Sequence, residues 1–414
     1  MGGDLEGYRV LDLTDEKGDL CGKILADLGA DVIKVEPPEG CCVRHRVGPF
    51  YHDMPESGRS LFFFAYNNNK RSITLNIECP KGEGLLKELI RKSHFIIESY
   101  RSADYLSDLK LGYDDLAKVN PSIIMVSITP YGRTGPYKEF RGSDLTVTAM
   151  SSLMYTFGDK DRSPLRLSIE QSYCHAGATA AIGCLVAHYY REITGEGQHV
   201  DVSMQEAMAW SNMFAIPRWM FDRYLMPRYG QYRAHKRTNL RMIYPCKDGY
   251  ISFFIGMSNL SGPSEEALVK VMREEGIGDE SLESVDWRKM DFDSMDKKDH
   301  DRWEQYHMEF FRRHTKAELL QLLKEKGVLL SPIEDPRNVF ENKQLESREF
   351  WQEVEHPELG ETIKYPGAFF KSNVNQPVIR RPPPLIGEHN LEIYQGELGL
   401  SRNEISMLKN SGVI

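Results

Sequence analysis

The stretch YRVLDLTDEKGDLCGKILADLGADVIKVE, residues 8–36, decides the fold class. Residues 8–13 predict a β-strand and residues 31–35 predict a second one. Between them, residues 20–28 predict a helix, and Gly29 stands where that helix is expected to end. A strand, a helix and a strand within about thirty residues form a βαβ unit. Because the strands of such a unit run parallel, the stretch predicts a parallel sheet with a right-handed crossover.

The same alternation continues after this unit. Apolar strands are predicted at 72–75, 94–97 and 123–126, with helices at 81–92 and 113–118. The pattern is typical of the α/β class and predicts a Rossmann-like, doubly wound parallel sheet. The loop after the first strand contains no G-x-G-x-x-G, so a dinucleotide site is poorly supported. Ligands of such sheets bind beyond the carboxyl ends of the strands, and we expect the site there.

The composition changes twice along the chain and predicts three parts. Residues 1–224 carry the N-terminal part of the large α/β domain. Residues 225–330 contain charged runs with helical periodicity and predict a smaller, inserted α+β domain. Residues 331–414 return to the large domain through long, proline-punctuated arms. Arms that reach beyond one globule favour an intertwined oligomer.

Composition and charge exclude several classes of function. The chain has 414 residues, a net charge of −9 and a hydrophobic fraction of 41%, the values of an ordinary globular protein. Its acidic balance argues against binding to nucleic acid or to anionic membranes. The 7 cysteines form no C-x-x-C pair, and the first residues lack the features of a signal peptide. We therefore expect a cytoplasmic protein with no metal site.

A second informative stretch covers residues 166–207. Residues 176–187 are almost all small or apolar and predict a closely packed, buried helix. Thr194, Gly195 and Gly197 end it, and residues 199–203 predict a return to the sheet. The polar segment before this helix is where a reactive group is expected.

Motifs spread over nearly the whole chain resemble the class III CoA-transferase (CaiB/BaiF) family. In chain order they are VLDLT (10–14), LADLGADVIKVEP (25–37), NKRSITL (69–75), YG and GP (131–132 and 135–136), TGEGQ (194–198), DVS (201–203), KDG (247–249) and GEHN (387–390). The resemblance implies two subunits linked through each other. It also implies that CoA thioesters serve as substrates and that no cofactor is bound permanently. Members move CoA between an acyl-CoA and a carboxylic acid through an aspartate nucleophile.

The family's aspartate stands four residues before a helix glycine, which is Gly177 in this chain, and that position is Tyr173. A phenol has a pKa near 10 and is a poor substitute for a carboxylate. Glu170 lies three residues earlier and is the candidate catalytic residue. In a helix Glu170 and Tyr173 would share a face, whereas in an extended segment they would point to opposite sides.

The resemblance also carries over CoA contacts, but only in part. The matching positions are Lys17, Gly18, Leu75, Ser99, Tyr100, Arg101 and Arg141. Two basic positions of the family are lost, because Pro38 and Glu78 occupy them. These losses indicate weakened CoA binding.

Three functions remain open at this point. The first is a subunit that lacks the nucleophile of a heteromeric CoA-transferase, paired with a homologous aspartate-bearing subunit. Segments SIEQSYCHAG (168–177) and SMQEAMAW (203–210) resemble such a subunit type, whose substrates are succinyl-CoA and benzylsuccinate. The second is an active homodimeric transferase that uses Glu170. The third is a CoA-thioester-binding pseudoenzyme.

Overall fold

The computed structural model describes residues 3–55, 59–100, 102–234, 239–255, 258–291 and 295–414. The elements up to residue 222 are β1 (Arg9–Leu13), α1 (Asp19–Asp27), β2 (Asp31–Glu36), α2 (Val43–Arg46), α3 (Leu61–Asn67), β3 (Arg71–Thr74), α4 (Pro80–Arg91), β4 (Phe95–Glu98), α5 (Tyr105–Asp108), α6 (Tyr113–Val119), β5 (Ile124–Thr129), α7 (Asp144–Met150), α8 (Gln171–Thr194), β6 (Gln198–Ser203), α9 (Met204–Trp210) and α10 (Ala215–Asp222). The later elements are β7 (Tyr232–Ala234), β8 (Asn239–Arg241), β9 (Ile243–Cys246), β10 (Gly249–Phe253), α11 (Ser258–Glu274), α12 (Glu280–Glu283), α13 (Lys297–Arg313), α14 (Lys316–Lys326), β11 (Leu330–Pro332), α15 (Pro336–Phe340), α16 (Lys343–Ser347), β12 (Trp351–His356), β13 (Glu361–Pro366), a π-helix (Leu391–Glu397) and α17 (Arg402–Asn410).

The larger of two compact units is built on a six-stranded sheet. It comprises Met1–Met154, Arg166–Leu225 and Gln344–Ile414. The strand order is β3-β2-β1-β4-β5-β6, and all neighbouring strands run parallel. This is the strand order of a Rossmann-like doubly wound sheet, so the predicted fold class is confirmed. The order reverses between β1 and β4, and the carboxyl ends of these strands flank the crevice where such sheets bind ligands.

Helix α8 packs against α1 through its small residues. A Cβ added to Gly177 would lie 2.9 Å from the Cβ of Leu20, so the two helix backbones approach closely. Gly195 ends α8 with φ of 77°, as the sequence predicts. The large apolar side chains of the same helix point outward: Ile182 and Val186 are each 64% exposed. The expectation of a fully buried helix is therefore wrong for this face.

The C-terminal segment completes the larger unit along β3. The Nδ1 of His389 accepts a hydrogen bond from the Ser72 N–H, and the carbonyl of Val413 accepts one from the Asn76 N–H. Arg71 at the start of β3 pairs with Glu397 at 2.9 Å. The large unit therefore contains both ends of the chain, as predicted.

The smaller unit comprises Tyr155–Leu165 and Met226–Lys343. Its sheet has the order β11-β10-β9 with antiparallel pairing, and β7 and β8 form a separate antiparallel pair. Helices α11 to α14 supply apolar side chains, including Trp303 and Phe311 of α13, to one core with these strands, and Trp287 adds to it from the connection between α12 and α13.

Candidate active site at the sheet edge

Buried ion pairs hold the loop between β1 and α1 in place. The ammonium of Lys34 pairs with Asp12 and Asp19 and also donates to the Thr14 carbonyl at 2.6 Å. Lys70 donates to the Asp12 carboxylate at 2.7 Å. Burial alone would raise the pKa of Asp12, but the two lysines lower it to about 2. Both ends of the loop at residues 14–19 are thus fixed beneath the ligand crevice.

A groove runs along the carboxyl ends of β1, β2, β3 and β4. One cavity of about 410 Å³ lies between the ends of β1 and β4 and is lined by Thr14, Ser99 and Tyr100. Next to it, a cavity of about 470 Å³ is lined by Leu75 and again by Tyr100. A third cavity, of about 530 Å³, is lined by Tyr100 and Arg141. Four of the predicted CoA contacts therefore line adjoining cavities that share one tyrosine.

The other predicted CoA contacts are placed differently. The side chain of Lys17 forms an ion pair with Asp15, so its charge is already engaged. Gly18 is the N-cap residue of α1, and a Cβ there would lie 2.6 Å from Thr14 Cγ2. Arg101 lies outside the described residues.

A separate cavity of about 250 Å³ contains the two residues that the sequence singles out for chemistry. Glu170 and Tyr173 both line it, together with Glu16, Tyr66 and Cys174. Leu20, Phe62, Ile169 and Pro49 supply apolar wall. Mostly apolar lining with a few converging polar groups is typical of a site for a small organic ligand.

The Glu170 carboxylate lies at the start of α8. Glu170 is the N-cap residue and is exposed, and its side chain forms no cap hydrogen bond. Because the helix begins at Gln171, Tyr173 lies in its first turn. Neither of the two geometries considered from the sequence applies in full, because Tyr173 is in the helix whereas Glu170, one residue before the helix begins, is not helical.

Tyr173 is held by the neighbouring helix α7. Its hydroxyl oxygen accepts a hydrogen bond from the backbone N–H of Asp144 at 3.3 Å. The Asp144 carboxylate in turn accepts from the N–H of Ser172 at 2.8 Å and from its hydroxyl at 2.9 Å. Burial raises the pKa of the Tyr173 phenol, so this group is a hydrogen-bond donor and not a base at neutral pH.

Two carboxyl groups near the crevice have raised pKa values and were not identified from the sequence. Glu16 lies in the loop after β1, and its Oε2 atom is buried with no hydrogen-bond partner among the described residues. Burial, followed by the charge of Asp15, raises its pKa. Burial also raises the pKa of Glu98, at the end of β4, to about 7. The rule that ligands bind at strand ends points to both loops, but no local pattern distinguishes Glu16 from a solvated glutamate.

Within the described residues, no helix is long and apolar enough to cross a membrane.

Comparison with known proteins identifies the family of this chain. Residues 5–390 match the model of CoA-transferase family III. The chain is 34% identical over 421 residues to the succinyl-CoA:(R)-benzylsuccinate CoA-transferase subunit BbsE of Thauera aromatica, covering 100% of this chain and 99% of the relative. It is 32% identical to the formyl-CoA:oxalate CoA-transferase of Streptomyces avermitilis, covering 99% of each.

Solved structures agree with these sequence relatives. A CAIB/BAIF family protein from Brucella suis superposes with a TM-score of 0.82 at 25% identity, over 96% of this chain and 100% of that chain. The fold, the sequence motifs and the family match cover the same residues from the first strand to the C-terminal segment. The chain therefore belongs to the class III CoA-transferases, the CaiB/BaiF family.

Proposed function

We propose that this chain is the subunit of a heteromeric class III CoA-transferase that does not carry the nucleophile. The observation that carries the proposal is the cavity at the start of α8, where the family position for the aspartate is Tyr173. A phenol whose pKa is raised by burial cannot form the acyl anhydride with which a carboxylate would begin the reaction. The partner is a homologous subunit that supplies the aspartate.

The similarity to subunit BbsE supports the heteromeric form and the substrates. That relative is named as one subunit of a CoA-transferase for succinyl-CoA and (R)-benzylsuccinate. We infer that this chain takes part in moving CoA between succinyl-CoA and an aromatic dicarboxylic acid of the benzylsuccinate type. The aromatic side chains of Phe62, Tyr66 and Tyr173 along the cavity suit a ligand with a phenyl ring.

An exposed apolar surface on the larger unit supports a subunit partner. It is formed by the outer face of α8 and by α9 and α10, where Trp210 is 74% exposed and Phe221 is 84% exposed. Tyr189, Ile193 and Phe214 are exposed on the same three helices or at their junctions. Exposed apolar patches of this kind mark interaction sites. A homologous subunit with matching arms would cover them in an interlocked dimer.

The groove at the sheet edge is the proposed place for CoA. Leu75, Ser99, Tyr100 and Arg141 line it, and Lys17, Gly18 and Arg101 are proposed contacts from the flanking loops. A long, partly apolar ligand with phosphate groups would place its phosphates near Arg141. Because Pro38 and Glu78 stand where the family has basic side chains, we expect this chain to bind CoA more weakly than an aspartate-bearing subunit does.

Activity measurements on the chain alone and with its partner test the proposal. The chain alone should not transfer CoA from succinyl-CoA to benzylsuccinate, and co-expression with an aspartate-bearing homologue should give activity. In that complex Glu170→Gln should leave kcat within about twofold, because Glu170 is not the nucleophile. Full activity of the chain alone would overturn the proposal. Loss of that activity on Glu170→Gln would then favour the homodimeric alternative, and CoA binding without transfer under any condition would favour a pseudoenzyme.

A further inference from the structure

One carboxyl oxygen in the residues that line the 250 Å³ cavity, Oε2 of Glu16, has no hydrogen-bond partner among the described residues. The same oxygen is shielded from solvent. Glu16 lines this cavity together with Tyr66 and with Tyr173 of the first turn of α8. Leaving a buried polar atom unpaired costs free energy, so such an atom in a cavity indicates a ligand that pairs with it.

We propose that Glu16 binds the carboxyl group of a small acid with an apolar body, and that it does so as a neutral hydrogen-bond donor. This inference rests on the proposed function, because it names the residue that recognises the acid substrate. Tyr66 and Tyr173 line the same cavity, and in this proposal their hydroxyl groups donate hydrogen bonds to the bound acid. Phe62, Leu20 and Ile169 contact the apolar body.

The surroundings of Glu16 favour its neutral form. The titratable groups around it are Asp15, Lys17 and Asp19 in its own segment, Cys42 before α2, Tyr66 of α3, and Glu170, Tyr173 and Cys174 at the start of α8. Lys17 is the cation among these groups, and its ion pair with Asp15 weakens the electrostatic stabilisation that it gives to the ionised form of Glu16. Burial raises the pKa of Glu16 and the charge of Asp15 adds to the rise. A protonated carboxyl group can donate to a carboxylate, whereas two ionised carboxylates would repel.

The proton count makes the proposal measurable. At a pH above the pKa of Glu16, an acid enters the cavity as its carboxylate, and Glu16 takes up one proton from solvent when the complex forms. Below that pKa the proton is already present. The affinity should therefore fall as pH rises, by up to about tenfold per pH unit. An amine ligand would show the opposite trend, because it would prefer the ionised form of Glu16.

Calorimetry on the full chain with 3-phenylpropanoate tests this between pH 5.5 and 8.5, in two buffers of different ionisation enthalpy. Wild type should bind more weakly as pH rises and take up close to one proton per ligand at the upper end. Glu16→Gln keeps an N–H donor but cannot titrate, so its affinity should be independent of pH. Glu170→Gln in the same cavity is the matched control and should keep the wild-type slope. Tyr173→Phe should weaken binding about fivefold and keep the slope.

The inference is overturned by absence of binding, by a pH slope that survives Glu16→Gln, or by tighter binding of 3-phenylpropylamine than of the acid. No turnover is needed for this readout. A chain that binds the acid as described but gives no transferase activity with any partner would contradict the proposed function alone. A chain that supports transfer but shows no dependence on Glu16 would contradict this inference alone.

Discussion

Two carboxyl groups of one short loop, Asp19 and Glu16, have opposite environments. Asp19 is fully buried and lies within ion-pair distance of Lys34 and Lys70. Glu16 is three residues away, and its buried Oε2 atom has no described partner. The paired side of the loop faces the sheet, and the unpaired side faces the cavity beside Tyr173. In this loop the carboxylate that lies against the lysines of the sheet is paired, whereas one oxygen of the carboxyl group that lines the cavity beside Tyr173 is not.

The largest predicted effect on stability comes from breaking the buried ion pairs of Asp12 and Asp19. Lys70→Met removes the ammonium that donates to Asp12 at 2.7 Å and leaves two buried carboxylates with one lysine. We expect the free energy of unfolding to fall by about 3–5 kcal/mol, because an uncompensated buried charge remains. Urea unfolding measures this. Lys87→Met, which breaks the solvent-accessible pair with Glu83, should cost less than about 1 kcal/mol. Equal losses in both variants would mean that the buried network gives no special support.

The Glu98 carboxyl group is intermediate between those of Asp19 and Glu16, because it is buried and its charge is only partly compensated by neighbouring groups. Its Oε2 accepts from the Tyr100 N–H at 2.8 Å, and Arg133 lies 3.7 Å away. Because burial raises its pKa from 4.5 to about 7, the folded state holds the proton more tightly than the unfolded chain. Its contribution to stability is therefore complete below about pH 4.5 and is lost as pH rises through 7.

Glu98→Gln tests this directly. Relative to the variant, wild type should lose about 3 kcal/mol of unfolding free energy between pH 4.5 and 8, measured by chemical denaturation at each pH. Glu88→Gln, on the exposed face of α4, should keep the wild-type pH dependence. Parallel curves for wild type and Glu98→Gln would show that Glu98 ionises normally and that the sheet edge is more polar than its contacts indicate.

A smaller effect tests how α8 brings Tyr173 to the cavity. In Gly177→Ala the new methyl group would lie 2.9 Å from the Leu20 Cβ and 3.3 Å from the Cys21 nitrogen. We expect a net loss of about 1–2 kcal/mol, because overpacking outweighs the gain in helix propensity. Gly84→Ala in α4 meets no atom within 4 Å and should stabilise the chain by about 0.5–1 kcal/mol. Stabilisation by both substitutions would show that α1 and α8 are not closely packed. Thermal unfolding distinguishes these outcomes.

Local sequence signals were sufficient for the parallel sheet. The helix predicted at 20–28 is observed at Asp19–Asp27, with Gly29 at φ of 109° after it, and the strand predicted at 31–35 is observed at Asp31–Glu36. The small residues of α8 also predicted close helix packing. They did not predict that Ile182 and Val186 on the same helix would be exposed, because a single chain carries no information about what covers that face.

The candidate site was predictable only where a motif or a strand end marks it. Ser99 and Tyr100 follow a strand and line the groove, and their contact with CoA stays a prediction. Glu170 was selected for its distance from Tyr173 along the chain. Glu16, which is far away in sequence, lines the same cavity and has a buried oxygen with no described partner. Burial of one side of a loop depends on tertiary packing, so residue type alone could not distinguish Glu16 from a surface carboxylate.

The most direct test of the central claim is to find where the covalent intermediate forms. The complex of this chain with its aspartate-bearing partner should be treated with succinyl-CoA and then with hydroxylamine, and both subunits should be mapped by mass spectrometry. We predict a hydroxamate on the partner's aspartate and unmodified carboxyl groups at Glu16 and Glu170 in this chain. A hydroxamate on either of these glutamates would contradict the account and make this chain the catalytic subunit.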